Sequence, residues 1–336
     1  MNLDRSVAVG GEIAGKQATI ALVDYQGKIL QRCFAKTLIG RPAAATIEPY
    51  LRAVETMLSY AHAERLKVRG IGMSIPGSLD DTRRRPQFIP TLSSLAGFPL
   101  CDLFEARYQL PTHLHVDVDA AVLAEHRFGA GKGLSRLLLL TMNAVVGASL
   151  VVDGQVERSA QRYVGHICHF PVSTAGLRCV CGKRGCVNTF LSLEALQKMV
   201  QRALRRGDES NLTRRLLNHE YFSPQLLAEE AERGDSVALT IYDELARWLS
   251  AAVAQYVSLF EPDMLILGGD ILCNSELILT RVRDALMLLP SQVYSTVELV
   301  PACLGSDAEL VGAVLSLFEQ SCPLQFANYA TEQYTI

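Results

Sequence analysis

The chain has 336 residues, with 32 Lys and Arg against 35 Asp and Glu for a formal charge of −3, and 49% of it is hydrophobic. At about 100–200 residues per domain this length predicts two domains with ample core, and the apolar content excludes disorder. A pI near 6.2 gives no basic footprint for nucleic acid, no apolar run approaches the roughly 20 residues of a membrane span, and no signal-peptide core opens the chain, so a cytoplasmic protein without membrane contact is expected.

Val7–Gly10, Ala18–Val23 and Lys28–Cys33 alternate in polarity, with Asp24 and Gly27 between the last two, and predict a β-meander. Ile47, Leu51, Val54, Leu58 and Ala61 recur at helical spacing and predict a helix within 44–66. A strand over 70–74 runs into Ile75-Pro76-Gly77, and a loop rich in Pro and Arg follows over 82–100. Beyond it come a helix, a short strand at 113–116 and a helix at 118–128. Residues 136–152 read as a hairpin, and 160–188 show little periodicity. Helices are expected over 189–206, 223–232 and 235–260, then a buried strand at 264–267. A further helix, a strand near 296–300 and a final helix at 306–319 complete the chain. Interleaved helices and strands indicate an α/β class. The first strand begins almost at once, which leaves no room ahead of it for a helix-turn-helix, so no direct DNA binding is expected from this chain alone.

Nine cysteines are an odd number. Six of them (Cys33, Cys101, Cys168, Cys273, Cys303, Cys322) stand singly in apolar surroundings, as small buried residues do. The other three form the run His169-x9-Cys179-x-Cys181-x4-Cys186. Three thiolates and an imidazole make a closed tetrahedral set suited to structural Zn²⁺, with no position left for a reactive water. Gly182 and Gly185 let the backbone turn tightly enough for the sulfurs to converge. Unliganded thiols are the alternative, and His166 and Cys168 lie near enough in sequence to compete as ligands.

This cysteine spacing resembles the zinc motif of the ROK family (repressors, open reading frames and kinases), whose pattern selects His169 with Cys179, Cys181 and Cys186. The resemblance extends over nearly the whole chain. Ile20–Asp24 with Gly27–Leu30 resembles the family's first hairpin, and Ile71–Asp80 its Pro-Gly loop. Val116–Ala121 with Leu123–Glu125 and Phe128–Gly133 resembles its catalytic Asn-Asp stretch and the helix after it. Leu259–Asp263 with Leu267–Asp270 resembles the segment bordering adenine, and Asp307–Ala313 the last helix. Membership implies a two-lobed actin/hexokinase-like (ribonuclease-H-like) α/β fold with a central cleft. Its small lobe would span 1–117 plus a helix at about 305–320. Its large lobe would span 118–304 and carry the zinc loop 166–188, with 321–336 as a tail. The resemblance also implies a homodimer or tetramer.

The phosphate loops depart from the kinase pattern. Kinases of the family carry Asp-x-Gly-Gly-Thr where this chain has Glu12-Ile13-Ala14-Gly15-Lys16, and Gly-Thr-Gly-x-Gly-x-Gly where it has Asn143-Ala144-Val145-Val146-Gly147-Ala148-Ser149. Val145 is β-branched and ill suited to a glycine backbone, so the phosphate cradle is expected to be closed. On the sugar side Asp117 keeps the place of the general base. Its usual neighbour Asn is Val116, a usual Asn is Thr91, and two usual Glu residues are His166 and Asn188.

The expected function is therefore a non-catalytic, sugar-responsive protein similar to the effector domain of Mlc/NagC/XylR-type regulators. It would bind a sugar, a sugar phosphate or a protein partner in the cleft. Pro76, Gly77, Thr91, Val116 and Asp117 would contribute from one side, and His166, His169 and Asn188 from the other. The alternative is an ATP- and Mg²⁺-dependent sugar kinase of the glucokinase or N-acetylhexosamine-kinase type. There Asp117 would be the base, and Gly15, Lys16, Gly147, Gly268 and Gly269 would approach the nucleotide. A third reading is a repressor whose DNA-binding head lies outside this chain. Asp117 also reads as a helix N-cap, His166 as a solvent-facing or core histidine, and Lys16 as a surface lysine. Arg83-Arg84-Arg85 reads as a solvated loop tip or an anion contact.

Overall fold

The computed structural model describes residues 5–13, 17–90, 92–157, 164–272, 276–287 and 297–321. They fall into two compact units, Met1–Gly133 with Ser306–Ile336, and Leu134–Gly305.

The first unit opens with the expected meander, β1 (Ser6–Glu12), β2 (Gln17–Asp24) and β3 (Ile29–Lys36), paired antiparallel. Asp24 makes the last turn, where its Oδ1 accepts from the backbone N–H of Gln26 and Lys28, each at 2.9 Å. The helical spacing reads correctly: α1 (Ala43–Ala63) buries Ile47, Leu51, Val54 and Ala61. β4 (Lys67–Ile75) then runs parallel to β1. The Pro/Arg-rich loop holds a small hairpin that periodicity cannot reveal, β5 (Ser78–Leu79) and β6 (Pro86–Phe88). α2 (Leu100–Tyr108), β7 (Thr112–Val116, parallel to β4) and α3 (Asp117–Phe128) follow.

The second unit starts with β8 (Arg136–Met142), β9 (Val146–Val152) and β10 (Gln155–Val156), again antiparallel. Its helices are α4 (Asn188–Leu191), α5 (Leu193–Arg206), α6 (Asn211–Leu217), α7 (Pro224–Glu232) and α8 (Ser236–Phe260). α6 escapes the sequence reading because its 7 residues span under two turns, although Ser210 and Thr213 form a reciprocal capping box ahead of it. β11 (Met264–Gly268), α9 (Glu276–Met287) and β12 (Glu298–Pro301) close the unit, with β11 parallel to both β8 and β12. β11 is buried along its whole length, as an apolar run in a parallel sheet must be. The chain ends its described course in α10 (Ala308–Ser321), which belongs to the first unit.

The two sheets share one plan. Their strand orders are β3-β2-β1-β4-β7 and β10-β9-β8-β11-β12, each a three-stranded antiparallel ladder extended by two parallel strands. In the first unit Val9, Ile20, Tyr50, Met57 and Phe104 pack between sheet and helices. In the second, Leu138, Leu265, Tyr242, Leu249 and Tyr256 do the same around α8. Among the described residues no helix is long and apolar enough to cross a membrane.

The division between the units falls after Gly133, so α3 lies with the first unit rather than beyond a boundary at 117. Close packing explains it. α10 lies against α3 and β4 so tightly that a Cβ at Gly312 would sit 1.7 Å from the Ala120 carbonyl oxygen, and one at Gly72 would sit 2.1 Å from that of Ala313. Both obstacles are backbone and cannot swing aside. Gly312→Ala is expected to cost about 2 kcal/mol or more of unfolding free energy, read by urea titration. An unchanged midpoint would mean that α10 is held some other way.

Candidate functional site

In the first unit the carboxyl ends of three parallel strands gather the predicted residues. Register pairs Glu12 of β1 with Ser74 of β4, and Ile75 of β4 with Val116 of β7. Pro76-Gly77 and Asp117 therefore leave adjacent strand ends, and Glu12 ends the strand on the other side of β4. Ligands of open α/β sheets bind at such ends. Gly77 has φ +108, and a Cβ there would lie 2.1 Å from the Phe88 carbonyl oxygen, so β6 clamps the Pro-Gly turn.

Asp117 is the first residue of α3, and its Oδ1 accepts from the Val118 N–H at 2.8 Å. Asp117 is therefore not the helix cap that the sequence suggests: Val116 holds the N-cap position, and no side chain caps α3. Burial first, then the carboxylates of Asp119 and Glu12, raise its pKa to about 7 against the backbone N–H groups of Val118 and of Asp117 itself. A carboxyl group ionising near neutrality is matched to proton transfer. Val116 closes β7 and is half-buried. Gly15, Lys16 and Thr91 lie outside the described residues.

In the second unit the cysteine loop folds as a knuckle. Pro171 bridges Cys186 and Arg178 bridges Arg184. Cys179 N–H donates to the Lys183 carbonyl at 2.8 Å, and Gly182 N–H to that of Cys179 at 2.9 Å. Gly182 and Gly185 take φ of +88 and +72, the left-handed turns their sequence positions call for. His169, Cys179, Cys181 and Cys186 bring one ligand atom each to within 4.8 Å of one another. Cys179 Sγ lies 3.3 Å from His169 Nδ1, and Cys181 Sγ lies 3.6 Å from Cys186 Sγ. A tetrahedron with metal–sulfur bonds near 2.3 Å has edges of about 3.8 Å, so the donor set fits a four-coordinate ion. Burial pushes the Cys186 thiol up to about 12, and the backbone N–H of Lys183 holds that of Cys181 below its usual value. Cys168 is buried outside this quartet, its thiol raised to about 11 by that burial. The His166 side chain lies outside the described residues.

The knuckle hands its order to the β8–β9 tip. Cys186 leads into α4, where Asn188 Oδ1 accepts from the Val146 N–H at 3.0 Å. At the tip, Asn143 Oδ1 accepts from the Asp270 N–H and its carbonyl from the Leu193 N–H, each at 3.0 Å. Asn143 thereby joins three segments at the carboxyl ends of β8 and β11. Sequence reading treats it only as a glycine replaced, and what reveals its part is the amide acceptor. Gly147 lies in β9, opposite Thr141 of β8. Gly269 has φ +94, and a Cβ there would meet the Met142 backbone at 2.4 Å, so the Gly268-Gly269 turn requires its second glycine. From Asn143 to Gly147 no residue takes a positive φ. The tip is thus a turn built for side chains, with Val145 43% exposed.

Two sheet-centred α/β units, with a neutral-range carboxyl at one set of strand ends and a Cys₃His knuckle bracing another, define the class. The sequence model of the ROK family matches residues 8–320. The chain belongs to the ROK family. It is 29% identical over 314 residues to a glucokinase of Thermotoga maritima, covering 93% of this chain and 97% of that one. A xylose repressor of Caldicellulosiruptor bescii is 23% identical, covering 85% and 71%. A crystal structure of a ROK glucokinase from Streptomyces griseus, in complex with glucose and AMPPNP, superposes with a TM-score of 0.78 at 29% identity, covering 91% and 97%. The fold is the actin/hexokinase-like one of these kinases. Kinases and repressors both stand among the relatives. The glucokinases match at higher identity and along nearly their whole length, which favours a kinase over the non-catalytic protein expected from the phosphate loops.

Proposed function

We propose that the chain is an ATP-dependent sugar kinase that transfers the γ-phosphoryl group of ATP to a hydroxyl of a hexose-type sugar. The observation that carries this reading is the place of Asp117, which opens α3 directly after β7, beside the Pro76-Gly77 turn that follows β4, where burial raises its pKa to about 7. As general base it would take the proton from the sugar hydroxyl as that oxygen forms its bond to phosphorus and the bond to ADP breaks. Mg²⁺ carried with the ATP would neutralise charge on the phosphates. Pro76, Gly77 and Val116, at the strand ends beside Asp117, would border the sugar, and the family resemblance adds Thr91, His166, His169 and Asn188 as candidate sugar contacts. Gly15, Lys16, Gly147, Gly268 and Gly269 would border the nucleotide, with the Asn143 amide holding the turn that glycines hold elsewhere in the family. Zn²⁺ on His169, Cys179, Cys181 and Cys186 would be structural, supplying no chemistry. A coupled ADP assay over a panel of sugars tests the reading: turnover with at least one hexose supports it, and none with any sugar removes it.

One observation favours a second reading, a sugar-responsive regulator that binds without turnover. The tip Asn143–Val145 carries side chains where kinases of the family carry Gly-Thr-Gly. Thermal-shift measurements separate the two, because a bound ligand raises apparent stability by mass action. Stabilisation by a sugar with none by millimolar ATP would favour the regulator.

A further inference from the structure

The arginine run at 83–85 does two different things. Arg84 is clamped, donating to Asp102 Oδ1 at 2.7 Å and to Glu105 Oε2 at 2.6 Å. Asp80 closes the turn beneath it. Its Oδ1 accepts from the N–H groups of Arg84 and Arg85 at 2.9 and 3.0 Å, and its carbonyl accepts from that of Arg83 at 3.0 Å. These bonds hold Arg83 at φ +57, a backbone conformation that residues with side chains adopt only where their surroundings impose it. The outcome is directional. Arg83 turns back from the loop, and its guanidinium lies 3.9 Å from Asp119 Oδ2, with the two side chains only 27% and 17% exposed.

Asp119 stands two residues after Asp117 in the first turn of α3. We propose that Arg83 is a positioning residue for the proton transfer: through its ion pair with Asp119 it offsets the negative charge that would otherwise act on the Asp117 carboxylate. The catalytic consequence rests on the kinase reading, whereas the electrostatic coupling does not. Among the described residues, Asp119 on its own helix and Glu12 at the end of β1 are the carboxylates that act on Asp117, and Arg83 meets the first of them. Without the guanidinium, two carboxylates act on Asp117 with less to oppose them, and it gives up its proton at higher pH.

The test compares wild type, Arg83→Gln, Arg83→Lys and Asp119→Asn on two readouts. In the pH profile of kcat/KM, Arg83→Gln moves the acid limb up by about half a unit or more, with roughly threefold loss below the limb and recovery above it. Arg83→Lys restores the wild-type limb, and Asp119→Asn moves it down. The second readout needs no turnover: the pH dependence of unfolding free energy, with Asp117→Asn as reference. There the window in which Asp117 holds its proton shifts in the same directions. An Arg83→Gln unfolding profile that superimposes on wild type, while that of Asp117→Asn departs from it, overturns the inference and leaves the kinase reading standing. An Asp117→Asn profile identical to wild type overturns it as well. A shifted window in a protein that phosphorylates nothing upholds the coupling and ends the kinase reading.

Discussion

Asp117→Asn is expected to lower kcat for sugar phosphorylation by about 100- to 10,000-fold, the usual worth of a positioned general base, with KM for the sugar changed far less. Asn keeps an acceptor for the Val118 N–H, so α3 should start where it does now and only the proton acceptor is lost. The wild-type rate should fall as pH drops below about 7, because the base must be ionised. Stability runs the other way. The unfolded carboxyl loses its proton near pH 4, whereas the folded one keeps it to about 7. Over that window the folded state binds more protons, so stability declines as pH rises from about 4 to 7, and Asp117→Asn removes that slope. A variant with wild-type turnover would take Asp117 out of the chemistry.

The second large effect is expected at the knuckle. Cys186→Ser should reduce bound zinc from about one ion per chain to near none. It should also lower the unfolding free energy of the second unit by about 3 kcal/mol or more, roughly 6 °C or more in Tm. Cys186 precedes the helix whose Asn188 holds the Val146 N–H, so the β8–β9 tip should loosen too, and a rise in KM for ATP would report it. Cys303→Ser is the control, an exposed thiol outside the quartet. Metal analysis of the wild-type protein decides the matter: a chain that folds fully and carries no zinc would reduce the knuckle to packed thiols.

Much of the architecture was legible from periodicity. The meander, α1, the paired strands at 136–152 and the buried strand at 264–267 each follow from alternation, helical spacing or an unbroken apolar run. The knuckle was legible because thiolates at that spacing have few other uses. What the sequence concealed depends on contacts between distant residues. The β5–β6 hairpin is too short to show a period. α3 reads as the start of a new lobe until Gly312 of α10 is placed against Ala120. The bond from Asp270 to the Asn143 amide spans 127 positions, so Asn143 looks in sequence like a glycine lost. Val145 marks the loss of a glycine backbone in sequence, but the ordinary φ angles that the tip adopts instead show only in the structure. The left-handed turn that aims Arg83 at Asp119 leaves no mark on an arginine run at all.

Phosphoryl transfer itself is the most direct test. ³¹P NMR of the wild-type chain with Mg²⁺-ATP and a hexose panel should show a sugar phosphate growing as ADP forms, with the signal absent for Asp117→Asn. ATP left intact beside every sugar, with no nucleotide bound at millimolar concentration, would contradict the kinase account and leave a sugar-binding regulator in its place.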